Sequence, residues 1–265
     1  MLGIAAGLCL LLLRLPPIPQ WPSYHNFADH RAWLGIPNFG NVASNLACAV
    51  IGIWGLGFLL RLSPQNAPRY FVDPRERWPY VLAFFGMLLT AFGSAYYHLA
   101  PNNARLVWDR IPMTIVFGSL VAAVVAERIS AHAGVRLLPF LIAIGAGSVL
   151  QWYADELHGH GDLRFYAVVQ AYSTVVLLLA LLLPPKYSRG SDFAVVVGFY
   201  VLAKILELAD RRVFAFGHIV SGHTLKHLVA AAAGYWILRM LQLREPVAKN
   251  SSPINTTAAM LGSVQ

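Results

Sequence analysis

The chain has 265 residues, of which 57% are hydrophobic and only 12% are charged. Soluble domains average about 45–50% apolar and about 25% charged residues, so this composition excludes an ordinary water-soluble enzyme. The apolar residues gather in runs of about twenty, the length that a helix needs to cross about 30 Å of hydrocarbon. The net charge of +8 is typical of loops retained on the cytoplasmic side of a membrane. It does not indicate nucleic-acid binding, because no basic cluster carries interleaved aromatic residues.

The first predicted element is an N-terminal hydrophobic segment, residues 1–21. Met1 to Leu15 is apolar, is interrupted by Arg14 and ends in a proline-rich stop. It lacks the basic start and the small-residue cleavage site of a secretory signal. We therefore expect a retained anchor; a signal-like segment and a short extra span are the alternatives.

Residues 22–244 are predicted to form one all-α membrane domain of seven transmembrane helices. A polar stretch from Pro22 to Pro37 comes first, and the predicted spans are 39–60, 79–99, 106–127, 137–153, 164–184, 193–210 and 218–241. Apolar runs of that length satisfy their backbone in lipid as helices, and no alternation typical of barrel strands is present. The polar residues 245–265 are expected to form a disordered tail. No sequence feature indicates an oligomeric state.

The distribution of Lys and Arg predicts the orientation of this domain. The loop between the first two spans carries four arginines, and the loops at the same end carry most of the remaining basic residues. The positive-inside rule therefore places that end and the C-terminus in the cytoplasm. The stretch from Pro22 to Pro37 then lies on the outer side, which is periplasmic or lumenal.

Ionisable residues inside the predicted spans are few, and such residues mark function by default. Ser94 and His98 stand four residues apart near the end of the second span, and Asp109 follows early in the third. His223 and His227 stand four residues apart at the start of the seventh span, a spacing that lets two ring nitrogens meet one cation. The predicted topology places all of these residues in the outer half of the membrane.

Three neutral imidazoles with an open fourth position are typical of a catalytic zinc site, which lowers the pKa of bound water to about 7. Asp109 would then hold or deprotonate that water. Ser94 is too weak a ligand for the metal, but its hydroxyl can stabilise an oxyanion. One alternative is that the histidines only hydrogen-bond between helices. Another is a charge arrangement of Ser94, His98 and Asp109, which leaves the histidine pair of the last span unexplained.

The order and spacing of these motifs resemble the alkaline ceramidase family, within a superfamily that includes the adiponectin/progestin receptors and the GPI-lipid remodelling proteins. The segment Asp109-Arg110-Ile111-Pro112-Met113 is similar to the family's Asp-Glu-x-Pro-Met, and Asn38 to Asn45 resembles the family's entry into its first span. The resemblance runs from about Tyr24 to Leu241 and concentrates in short motifs. It is closest to a bacterial-type member.

The resemblance implies a zinc-dependent amidase that cleaves the N-acyl bond of ceramide-like lipids to a long-chain base and a fatty acid. It implies that His98, His223 and His227 bind zinc, with Asp109 on the catalytic water and Ser94 at the scissile carbonyl. Eukaryotic members also carry a calcium site just before the first span. Only Asp29 remains here as an acidic ligand, and calcium takes six to eight oxygens, so we do not expect calcium to bind.

Other functions remain open at this point. A receptor or sensor of the same superfamily would keep the zinc for structure, and a transporter would show inverted repeats, which we do not find. The segment from His158 to Asp162 is either a second metal site or, as we expect, a solvated loop. Lys204 and Glu207, three residues apart in the sixth span, are expected to pair with each other.

Overall fold

The computed structural model describes residues 2–247 and shows an all-helical chain, with no β-strand among them. The helices are α1 (Leu2–Leu13), α2 (Phe39–Leu60), α3 (Ala67–Tyr70), α4 (Arg77–Leu99), α5 (Asn103–Arg128), α6 (Ala131–Leu157), α7 (Arg164–Ala180), α8 (Asp192–Leu208), α9 (Asp210–Ala215) and α10 (Gly222–Leu243). Short 3-10 turns cover Pro22–His25 and Pro74–Glu76. Most of the predicted disordered tail, residues 248–265, lies outside the described residues.

A long helix is found at each of the seven predicted spans, and α2 has the predicted bounds. Four helices are long and apolar enough to cross a membrane, namely α2, α4 with its preceding turn, α5 and α6. Helices α7 and α8 have 17 residues each, and α10 begins with the polar segment that holds His223 and His227. The all-helical class is therefore confirmed, and these four helices are consistent with a multi-pass membrane protein, whereas seven crossings stay a prediction.

Helix α5 is the centre of the bundle, and 72% of its most apolar stretch is buried. It packs against α4, α6 and α7, while α10 packs against α2 and α8 and so closes the bundle. Small residues allow the close approaches, because a Cβ at Gly55 would lie 2.3 Å from the Phe84 ring. Gly134 likewise approaches the carbonyl of Ala122, where a Cβ would lie 2.5 Å away.

The connecting segments lie at two ends of the bundle. At the end where α10 finishes, Arg244 donates to the Tyr70 carbonyl at 3.0 Å and Arg128 donates to the Leu183 carbonyl at 2.7 Å. Residues 245–247 lie at this end, where the amide of Val247 donates to the Lys186 carbonyl. The other end holds residues 14–38 and the connections at 100–102, 158–163 and 209–221, and we call it the histidine end.

Residues 20–38 cross the histidine end, and we call this segment the strap. At its start, Gln20 accepts a hydrogen bond from Arg110 at 2.6 Å. In its second half, Arg31 donates to the carbonyls of His218 and Ile219 at 2.8 and 2.7 Å. Helix α1 precedes the strap and packs against α7. The strap therefore joins α5 to the connection before α10.

Candidate metal centre

Two helices present the three histidines at the histidine end. His98 lies in the last turn of α4, and His223 and His227 share one face of the first turns of α10 because they are four residues apart. Helix α10 begins at Gly222, and the hydroxyl of Ser221 caps it by accepting the amide of Thr224 at 3.1 Å. The cap fixes the first turn, so both histidines are held on a defined helix end.

The three imidazoles form a compact triangle. Ring centroids are 4.8 Å apart for His98 and His223, 5.1 Å for His98 and His227, and 5.0 Å for His223 and His227. One ligand nitrogen from each ring lies within 4.8 Å of the other two. The side chains are buried, with exposed fractions of 0%, 4% and 6% for residues 98, 223 and 227. The structure therefore brings together the three residues that the sequence predicted as metal ligands.

The hydrogen bond to Ser44 indicates which nitrogen of His227 faces the centre. The Ser44 hydroxyl donates to the Asn41 carbonyl at 3.1 Å, and the same oxygen lies 2.8 Å from Nδ1 of His227. With the hydroxyl proton directed to Asn41, we assign the imidazole hydrogen of His227 to Nδ1, which then donates to Ser44. Its Nε2 then bears the lone pair that a metal ligand needs.

The donor set and its spacing fit a zinc ion. Nε2 of His98 lies 3.2 Å from Nε2 of His223, and two imidazoles bound at 2.0–2.1 Å to a tetrahedral zinc are about 3.3 Å apart. Imidazole nitrogen is a common zinc ligand but also suits copper, iron and nickel. The arrangement is therefore compatible with zinc without identifying the metal.

Ser94 and Asp109 lie at the contact between α4 and α5. The two backbones approach closely at Gly93, where a Cβ would lie 1.9 Å from the Trp108 carbonyl oxygen. The buried Ser94 hydroxyl approaches the Asp109 carboxyl without forming a hydrogen bond of standard geometry. Asp109 is buried, and no Lys or Arg nitrogen within the described residues lies within 4.0 Å of it. Buried carboxyl groups without an ion pair are typical of functional sites.

The alternative arrangement of Ser94, His98 and Asp109 lacks the hydrogen bonds that it needs. The Ser94 hydroxyl and Nδ1 of His98 have no hydrogen-bond partner among the described residues. The other nitrogen of His98 faces His223. The geometry therefore favours a metal centre over a serine nucleophile paired with His98.

An aromatic side chain from the strap covers two of the imidazoles. The ring centroid of Phe27 lies 4.6 Å from that of His98 and 4.5 Å from that of His223, and the side chain is buried. Sequence reasoning did not single out Phe27, because an isolated phenylalanine in a polar stretch carries no signal of a metal site. The strap therefore limits access to the imidazoles from the histidine end.

A half-buried carboxylate beside the centre links three elements. Glu207 pairs with Lys204 at 2.5 Å, which confirms the predicted pairing, and also with Lys226 at 3.1 Å. It accepts a further hydrogen bond from the Tyr24 hydroxyl of the strap at 3.0 Å. Lys226 lies between the two histidines of α10 in sequence, so this network adjoins the centre.

Arg110, the neighbour of Asp109, is an unusual buried cation. Its guanidinium lies over the rings of Tyr24, Trp152 and Tyr166 at 5.5, 4.5 and 5.0 Å. Its hydrogen-bond partner is the Gln20 side chain, and its Nη1 atom has none among the described residues. The aromatic rings compensate part of the desolvation of this charge.

The carboxylate of Asp29 binds an arginine. Both of its oxygens accept hydrogen bonds from Arg31, from Nε at 2.8 Å and from Nη2 at 2.7 Å. These bonds hold the pKa of Asp29 below its ordinary value. Asp29, the remaining acidic residue of the family's calcium segment, is therefore used to orient Arg31, which attaches the strap to the carbonyls of His218 and Ile219.

The segment from His158 to Asp162 does not form a ligand cluster. Asp162 accepts hydrogen bonds from the amides of Ile18 and Arg164 at 3.1 and 3.0 Å, and His158 bonds to the Ala154 carbonyl. Among residues 2–247, the metal-ligand group found consists of the three histidines of α4 and α10. The segment therefore joins Ile18, which precedes the strap, to the start of α7.

No protein-family model and no curated protein matches this sequence.

Proposed function

We propose that this protein is an integral membrane hydrolase that uses one zinc ion to cleave the N-acyl amide bond of ceramide-like lipids. The products would be a long-chain base and a fatty acid. The observation that carries the proposal is the group of three buried imidazoles, from two helices, with ligand nitrogens within 4.8 Å of one another. The resemblance of the surrounding motifs to alkaline ceramidases supports the reaction class. In this proposal seven helices cross the membrane, the C-terminus is cytoplasmic and the histidine end faces the outer side.

The ligands in this proposal are His98, His223 and His227. Zinc at a site of three histidines supplies Lewis acidity and a source of hydroxide near neutral pH. The Ser44 hydroxyl holds His227 in the tautomer that this role requires. Phe27 shields two of the ligands from water.

Asp109 and Ser94 are proposed to carry the chemistry on the protein side. The Asp109 carboxylate would accept the proton of the attacking water and return it to the nitrogen of the leaving long-chain base. The Ser94 hydroxyl, which has no standard hydrogen bond, would donate one to the carbonyl oxygen as negative charge develops there. The carbonyl carbon gains a bond to the water oxygen and loses its bond to nitrogen.

A cleft beside the centre supports an apolar substrate. It has a volume of about 430 Å³, and apolar side chains such as Trp33, Phe39 and Ile219 line it together with the ion pair of Asp29 and Arg31. Thr224, the neighbour of His223, also lines the cleft. Binding sites for small molecules are typically clefts of about 300–1,000 Å³ with mostly apolar walls, so this space suits a segment of a lipid chain.

The proposal is tested by measuring zinc content and ceramide turnover on the same purified samples. We expect about one zinc ion per wild-type chain and release of fatty acid that stops when a chelator removes the metal. His227→Ala should lose both properties and still insert into the membrane. His160→Ala, at an exposed loop position, is the matched control and should retain both. Full turnover by His227→Ala would contradict the proposal.

The same experiment separates the enzyme from a receptor or sensor with a structural zinc ion. Such a protein would bind zinc through the same three histidines and release no fatty acid from any ceramide of a panel with different chain lengths. Stoichiometric zinc without turnover would therefore favour the receptor.

A further inference from the structure

Asp210, the first residue of α9, binds two separate elements of the histidine end. Its Oδ1 atom accepts the backbone amide of His223 at 2.8 Å, and its Oδ2 atom accepts the backbone amide of Ala28 at 2.8 Å. The first contact is to a predicted metal ligand, and the second is to the strap.

The contact to His223 depends on a glycine. A Cβ at Gly222 would lie 2.3 Å from the Leu206 carbonyl oxygen and 2.8 Å from Cα of Asp210. Only glycine therefore lets the start of α10 approach the junction of α8 and α9. The amide of His223 is one of the four at a helix start that have no partner within the helix. A carboxylate at this position is also stabilised by the positive end of the helix dipole.

The contact to Ala28 fixes the aromatic cover of the centre. Ala28 follows Phe27, whose ring lies 4.6 Å from that of His98 and 4.5 Å from that of His223. One carboxylate thus holds the backbone of a ligand and the residue next to the ring that covers it. A shift of Asp210 would move both.

We propose that Asp210 is a positioning residue that couples closure of the strap to the geometry of the metal centre. This inference rests on the proposed metal centre and goes beyond it, because no catalytic role for Asp210 is involved. Coupling of this kind is reciprocal: metal that orders His223 favours the closed strap, and a closed strap raises metal affinity.

The test compares the full-length wild-type protein with Asp210→Asn and Asp162→Asn. Asparagine keeps one carbonyl oxygen and replaces the other by an amide that cannot accept, so one of the two contacts is lost. Asp162 is the control, because its Oδ1 atom also accepts two backbone amides at the histidine end, its Oδ2 atom pairs with Arg164, and it contacts none of the three histidines. Two readouts are used: affinity for added zinc, and hydrogen exchange of strap amides with and without zinc. Thermal unfolding and size-exclusion profiles report whether each variant folds.

In the wild-type protein and in Asp162→Asn, zinc should slow hydrogen exchange in the strap. In Asp210→Asn, we expect about tenfold weaker zinc binding, at the lower end of the effect of groups that support metal ligands. Its strap amides should exchange faster than wild-type amides without zinc, and added zinc should no longer slow them. Phe27→Ala combined with Asp210→Asn should weaken zinc binding by less than the product of the two single effects, since both act through one contact.

Wild-type zinc affinity together with a zinc-responsive strap in Asp210→Asn would overturn the coupling. If Asp210→Asn does not fold, Phe27→Ala alone decides, because the coupling predicts weaker zinc binding for this variant and unchanged affinity would contradict it. Absence of zinc binding by the wild-type protein would overturn the proposed function and the coupling. Hydrogen exchange of strap amides, compared between the metal-free wild type and metal-free Asp210→Asn, would then test whether Asp210 attaches the strap.

Discussion

A hydrogen bond joins the Ser44 hydroxyl to the imidazole of His227, one of the three proposed metal ligands. Removing the hydroxyl by Ser44→Ala leaves Nδ1 of His227 without its acceptor at 2.8 Å. The ring can then rotate or change tautomer, so we expect zinc affinity to fall by about 10- to 100-fold. Titration of the metal-free protein with zinc measures this change.

Ser173→Ala is the matched control for this prediction. The Ser173 hydroxyl is also buried and bonds to a carbonyl of its own helix, that of Val169 at 2.8 Å. It contacts no histidine, so zinc affinity should stay at the wild-type value. Equal affinities for the Ser44 variant and the wild type would show that the serine does not support the ligand.

The metal ligands could be predicted from the sequence, whereas most of the residues that support them could not. His98, His223 and His227 stand out because ionisable residues are rare in apolar spans. Phe27 and Asp210 act through contacts between segments far apart in the chain. No local pattern encodes such contacts, because they arise only when the helices pack.

The close packing of α4 against α5 depends on Gly93. Gly93→Ala would place a Cβ 1.9 Å from the Trp108 carbonyl oxygen, so the two helices must separate. We expect a loss of about 1–3 kcal/mol in the free energy of unfolding. Turnover should also fall at full zinc content, because Ser94 and Asp109 lie on opposite sides of this contact.

Gly147→Ala on α6 is the control for the helix contact, since a Cβ there has no neighbour within 4 Å. Its melting temperature and turnover should match those of the wild-type protein. A Gly93 variant that behaves like the Gly147 variant in both measurements would contradict the role of this contact.

The attachment of the strap depends on pH, because Asp29 orients the arginine, Arg31, that binds the connection before α10. Bonds from Arg31 lower the pKa of Asp29 in the folded state, while the unfolded value is about 3.9. A lowered folded-state pKa means that the ion pair stabilises the strap above about pH 4 and that this stabilisation is lost as pH falls through the folded pKa. Hydrogen exchange of strap amides, corrected for intrinsic rates, should rise only below about pH 4.

Asp29→Asn removes the titrating group and provides the control. In this variant the strap should exchange faster at neutral pH, and the rise at low pH should be absent. A rise of the same size in both proteins would assign the effect to other groups.

Helix positions could be predicted more fully than helix lengths. Apolar runs bounded by charged loops located all seven long helices, and α2 has the predicted bounds. Helix α7 ends at Ala180, before the predicted 184, where Leu181 to Leu183 form turns leading to Pro184 and Pro185. Proline disfavours helical conformation in the residue before it, so the helix ends before the apolar run does.

The distribution of Lys and Arg predicts that the histidine end faces the outer side of the membrane and the opposite end the cytoplasm. Two single-cysteine variants, His160→Cys and Gln65→Cys, place a thiol at exposed positions on opposite ends of the bundle, in a background without Cys9 and Cys48. A membrane-impermeant maleimide applied to intact cells should label the first variant. The second should be labelled only after the membrane is permeabilised. The reverse pattern would place the histidine end in the cytoplasm.

X-ray absorption at the zinc edge tests whether three imidazoles from α4 and α10 hold one zinc ion. We expect three imidazole nitrogens at about 2.0–2.1 Å and no sulfur ligand, and loss of the bound zinc in His98→Ala. Cys48 provides an internal check, because its buried Sγ lies 3.7 Å from the His227 carbonyl oxygen. Sulfur scattering at about 2.3 Å, or zinc retained in His98→Ala, would contradict a zinc site formed by the three histidines.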